Sequence, residues 1–67
     1  MAAVVADVCA GLDPAASDWT ARKSLKKNTA LLMARLLGQG GALAGKDFDK
    51  KDLFGLVEKE LASRVTD

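Results

Sequence analysis

The sequence predicts an all-α fold, a compact bundle of four short helices. Apolar residues recur at three- and four-residue spacing in four stretches, and no segment sustains the alternation of a half-buried strand. Gly11, Pro14, Asn28 and the glycines from Gly38 to Gly45 punctuate the chain between those stretches. Sixty-seven residues make one domain. A chain of that size buries only about 60% of its unfolded surface, so its core supplies a margin of roughly 3–5 kcal/mol. Apolar residues make up 49% of the sequence, enough for one core and too many for a disordered tail.

The first segment, residues 2–10, carries Val4, Val5, Val8 and Cys9 at helical spacing, with Gly11 as its stop. Residues 12–17 read as a turn: Pro14 fixes φ there, and Asp13 is able to cap the next helix. That second helix is expected over residues 18–27, with Ser17 or Asp18 at its N-cap. Asn28 and Thr29 prefer caps to helix interiors, so a break is expected there and a third helix over residues 29–37. One helix bent near Asn28 is the competing reading, because Ala21, Leu25, Leu32 and Leu36 would line a continuous stripe.

The glycine-rich stretch from Gly38 to Asp47 reads as a flexible connector. No Ser or Thr follows Lys46, so it is not a phosphate-binding loop. The last helix, residues 50–65, has the strongest start signal. Asp49 is placed at its N-cap and Asp52 three residues on, while Phe48 is positioned to staple onto Leu53. Leu53, Val57, Leu61 and Val65 recur every four residues, Phe54 and Leu56 widen the stripe, and Gly55 falls opposite.

Composition removes several functions. Cys9 is the single cysteine and there is no histidine, so neither an internal disulfide nor a four-ligand zinc site is available. Cys9 reads as a small buried apolar residue. With no tyrosine either, no nucleophile–base pair suggests itself, and no enzymatic activity or cofactor is expected. Asp47, Asp49 and Asp52 cluster around a helix start, where capping accounts for them, and Lys50 and Lys51 spoil a calcium loop. No base precedes Arg22 and Asp7 interrupts the first apolar run, unlike a secretory signal. No apolar run approaches the ~20 residues of a membrane span. Ala2 excludes myristoylation. The expectation is a cytoplasmic domain without membrane or metal partners, forming the N-terminal part of a longer protein.

Charge is the informative property. The net charge is +1. Yet Asp7, Asp13 and Asp18 precede a stretch from Trp19 to Lys46 that holds Arg22, Lys23, Lys26, Lys27, Arg35 and Lys46 with no acid. The remainder has six acids against four bases, so the chain runs −3, +6, −2. Such segregation creates a local positive field that attracts polyanions. On a helix through Trp19, the residues Arg22, Lys23, Lys26 and Lys27 fall within about 80° of it on either side. Trp19 reads two ways: as an aromatic within an RNA-contacting patch, where Arg22 and Lys23 would stack on the indole, or as the core's one large ring. The first functional reading is therefore a nonspecific contact with tRNA or other RNA through Trp19, Arg22, Lys23, Lys26 and Lys27. The second is docking of a protein helix in an apolar groove lined by Leu32, Leu36, Leu53 and Val57. A third is self-association.

Gly11-Leu12-Asp13, the run Thr20-Ala21-Arg22-Lys23-Ser24-Leu25-Lys26-Lys27-Asn28, and the following Leu31, Leu32 and Leu36 carry a family resemblance. With the ending Leu61-Ala62-Ser63-Arg64-Val65, they resemble the N-terminal appended domain of eukaryotic glutaminyl-tRNA synthetases. The resemblance implies an all-helical appendage, related to the tail domain of the bacterial amidotransferase B subunit. Such an appendage helps hold tRNA while a separate catalytic domain performs the ligation. Arg22, Lys23, Lys26 and Lys27 are the positions it would assign to the RNA.

Overall fold

The computed structural model describes residues 2–13 and 18–66. Pro14 and the Ser17 cap expected in the first turn lie outside the described residues. Among those described, the chain forms three α-helices and no strand. Helix α1, Ala2–Ala10, has the bounds the valine spacing predicts. Val5 and Cys9, four residues apart, are buried, and Val4, Val8 and Leu12 pack against the same core. The amide of Gly11 donates to Asp7 and Val8 carbonyls, and that of Leu12 to Cys9, which closes the last turn.

From Trp19 to Leu37 the chain departs furthest from expectation. Trp19 and Thr20 form a turn, Ala21 is extended, and Arg22–Ser24 make a 3₁₀ turn. Helix α2 then runs without interruption through Leu25–Leu37. The helix expected over residues 18–27 thus starts late, the break at Asn28 does not occur, and the helices expected over 18–27 and 29–37 become one. Hydrogen bonding supplies the reason. Thr29 is sealed in the core and its Oγ1 donates to the Leu25 carbonyl at 2.8 Å, the local bond that satisfies a buried threonine within a helix. Asn28, also buried, donates from Nδ2 to the Asp18 carbonyl at 2.9 Å. The cap-forming residue types stay inside the helix because their polar groups find carbonyls there. Asp18 does not cap a helix; its carbonyl accepts from Asn28 and from the Ala21 amide.

The glycine-rich segment folds back rather than hanging free. Leu43 is buried, and its amide donates to the Leu36 carbonyl at 2.9 Å. A carbonyl at the open end of α2 is satisfied in this way. Gly41 passes so close to α2 that a β-carbon there would collide with the Arg35 and Leu36 carbonyls. Gly40 and Gly45 have φ of 80° and 75°, a region that favours glycine.

Helix α3, Lys50–Ala62, starts at the predicted cap. Asp49 Oδ1 accepts from the amides of Lys51 at 2.8 Å and Asp52 at 3.4 Å. Leu53, Val57 and Leu61 are sealed against α2 and α1, each contributing about 1.5–3 kcal/mol on burial. Phe48, expected to staple onto Leu53, packs on the core cluster to which Leu53 belongs. Phe54 and Leu56 are half-buried but lie outside the core cluster, so the working stripe is narrower than the sequence implies. The helix ends three residues before the expected Val65. There Ser63 Oγ donates to the Glu60 carbonyl, and Arg64 Nη1 bonds both that carbonyl and Glu60 Oε2. The amide of Thr66 then donates to the Thr20 carbonyl at 3.0 Å, fastening the tail to the turn that precedes α2.

Candidate nucleic-acid interface

The four cations singled out in the sequence gather where the 3₁₀ turn passes into α2. Arg22 and Lys23 belong to the turn, Lys26 and Lys27 to the first turn of α2, and all four side chains are exposed. They face outward because the other positions of this run are pulled in. Ala21, Asn28, Thr29 and Leu32 are buried and Leu25 packs on the core, leaving Lys26 and Lys27 to solvent. Lys23, Lys26 and Lys27 have no ion-pair partner among the described residues. The ion pair described joins Arg64 to Glu60, on another element.

The electrostatics of this start are unusual. A helix N-terminus presents unpaired amides and carries partial positive charge, so an acid or a capping oxygen is favoured there. Helix α2 has no acid in its first turn, and Ser24 at its N-cap makes no side-chain bond to the helix. The 3₁₀ turn supplies backbone partners instead, the Leu25 amide donating to the Arg22 carbonyl and the Ser24 amide to that of Ala21. Two lysines stand where an acid would be stabilising, with Arg22 and Lys23 just before them. The positive end of the helix and the four side chains thus add to one field.

Trp19 lies inside. It is 4% exposed, belongs to the core cluster, and has its Nε1 buried without a hydrogen-bond partner. A ring so enclosed offers no face to a base, so its place is that of the core anchor. The cation over the indole is Arg35, with its guanidinium carbon 5.6 Å from the ring centroid. Stacking by Arg22 and Lys23 required Trp19 to share their helix. The turn at Trp19 and Thr20 removes that register and lets a residue from the far half of α2 take the position. Arg35 was visible in the basic stretch, but nothing in local spacing joined it to Trp19.

The groove considered for a partner helix is closed. Leu32, Leu36, Leu53 and Val57 are each at most 1% exposed, because the stripes of α2 and α3 pack on one another. Those residues form the centre of the core instead of an open surface. Cys9 is also buried, and burial pushes its thiol pKa up, with Arg64 opposing the shift and Glu60 adding to it. No group of metal-ligating side chains gathers among the described residues, and no helix there is long and apolar enough to cross a membrane. No family model, no curated protein and no solved structure matches the chain.

Proposed function

We propose that the chain is a non-catalytic helical module that binds the phosphate backbone of RNA, tRNA first among the candidates, through Arg22, Lys23, Lys26 and Lys27. The observation that carries this reading is the run from Arg22 to Lys27, where four exposed cations flank a helix start that has no acid and no side-chain cap. Such an arrangement costs the free protein stability and is relieved by a bound polyanion. Contacts of this kind position a backbone without reading its sequence. The resemblance in Thr20–Asn28 and Leu61–Val65 favours tRNA, with the module appended to an aminoacyl-tRNA synthetase-like parent.

The test is titration of the chain with tRNA at low and at moderate salt. Four phosphate contacts give a logarithmic salt slope of about −3 to −4. Replacing Lys23, Lys26 and Lys27 together by alanine should remove most of the affinity and leave a slope near that of a single contact. Affinity indifferent to salt and to those replacements ends the proposal. Trp19 emission supplies a second readout. It should change little on binding, because the ring stays enclosed beneath Arg35.

A further inference from the structure

We propose that Ser24 is a phosphorylation site for a kinase with an acidic substrate groove, and that the modification switches off the basic face. The flanking residues carry the recognition. Arg22 and Lys23 precede the serine, and Lys26 and Lys27 follow it, all four exposed, with Leu25 adjacent. An acidic groove reads cations on both sides of an acceptor by charge complementarity.

The hydroxyl itself is available. Ser24 occupies the N-cap of α2 without bonding a helix amide, and its oxygen is neither hydrogen-bonded nor sealed from solvent. Other hydroxyls are less suited. Thr29 is buried and bonded to Leu25, Ser63 Oγ is engaged by the Glu60 carbonyl, Thr20 has Asp18 two residues before it, and Ser17 and Thr66 are each followed directly by an aspartate. Ser24 also sits in a single 3₁₀ turn, the weakest part of the helical run from Arg22 to Leu37. Local opening of that turn together with the first turn of α2 presents Ser24 and its flanking cations to a kinase while Leu32 and Leu36 stay packed.

The chemistry balances with a nucleoside triphosphate as co-reactant. A bond forms between Ser24 Oγ and the γ-phosphorus, and the bond from that phosphorus to the β,γ-bridging oxygen breaks. The diphosphate leaves with the electron pair, and the hydroxyl proton passes to the kinase's base. The product carries a charge of about −2 among four cations and at the positive end of α2. It adds the negative charge that the helix start lacks and roughly halves the positive charge of the face.

Treatment of the chain with ATP and the catalytic domain of such a kinase should add one phosphate, located at Ser24 by fragment mass spectrometry. Ser24→Ala should accept none, Ser24→Thr should restore acceptance, and Lys26→Gln with Lys27→Gln should slow transfer several-fold. Ser24→Ala removes no capping bond, so its melting temperature should match that of the parent, which shows that it is folded. The phosphorylated chain should melt about 2–5 °C higher and bind tRNA about tenfold more weakly at low salt. No incorporation, or incorporation at Ser17, Thr20, Ser63 or Thr66 instead, overturns the site, and a lowered melting temperature overturns the stabilising role given to the phosphate. The loss of tRNA affinity rests on the function proposed above. If the unmodified chain fails to bind tRNA, that reading falls, while the phosphate at Ser24 still decides the site and the melting temperature its stabilising role.

Discussion

The buried side-chain amide of Asn28 reaches back ten residues to the main-chain carbonyl of Asp18, at 2.9 Å. This bond holds the turn at Trp19 and Thr20 against the first half of α2, and so fixes where the cationic face begins. Asn28→Ala should cost about 1–3 kcal/mol, measured by denaturant unfolding. Asn28→Asp should cost more at neutral pH, because it aims a buried carboxylate at a carbonyl oxygen. Equal losses for the two variants would show that the amide's contact with Asp18 is unimportant.

Two glycines should respond in opposite directions to the same change. A β-carbon at Gly55 meets nothing, so Gly55→Ala should stabilise α3 by about 0.5–1 kcal/mol through helix propensity alone. At Gly41 the added methyl meets two carbonyls of α2, and Gly41→Ala should destabilise by at least about 2 kcal/mol. Thermal unfolding of the pair checks both signs.

Lys26 sets stability against the proposed binding. Lys26→Glu places an acid in the first turn of α2 and should raise stability by about 0.3–1 kcal/mol. The same change removes a cation and adds an anion, so affinity for tRNA should fall at least tenfold at low salt. A variant that is both less stable and unaltered in binding would contradict the electrostatic account of this face.

Cys9 provides a pH dependence. Burial holds its folded-state pKa above the ordinary value of 9.0. The unfolded chain therefore releases this proton first. The thiol's contribution is intact below about pH 9 and is lost as pH rises through the unfolded value toward the folded one. Unfolding free energies of the parent and of Cys9→Ala, compared at about pH 7 and about pH 10, should draw together at the higher pH. A constant gap between the two would mean that the thiolate is tolerated inside.

Local signals were the legible ones. Gly11 ended α1 where expected, and Asp49 with Phe48 marked the start of α3, because caps and staples act within a few residues. The start of α2 was not legible, since it depends on Asn28 finding Asp18 and on Thr29 bonding back to Leu25. Each satisfies a polar group that local preference would send to a cap. The glycines after α2 read as slack, yet Leu43 among them is a core residue whose partner is a carbonyl of the preceding helix. The same stripes that suggested a groove, Leu32 with Leu36 and Leu53 with Val57, were each other's complement. Positions of the cations were legible as a cluster, but the surface they share was set by the late start of the helix.

The bond from the Thr66 amide to the Thr20 carbonyl has a kinetic meaning. Helices α2 and α3 are neighbours along the chain, whereas this tie, like the packing of α1 on α3, brings together segments far apart in sequence. Contacts of that kind carry the larger closure entropy and form late. Loosening the tail, as by Thr66→Pro, should leave the refolding limb of a chevron nearly unmoved and steepen escape from the native state. The tail after α3 and the turn before α2 therefore act as a late-forming latch between two distant parts of the chain.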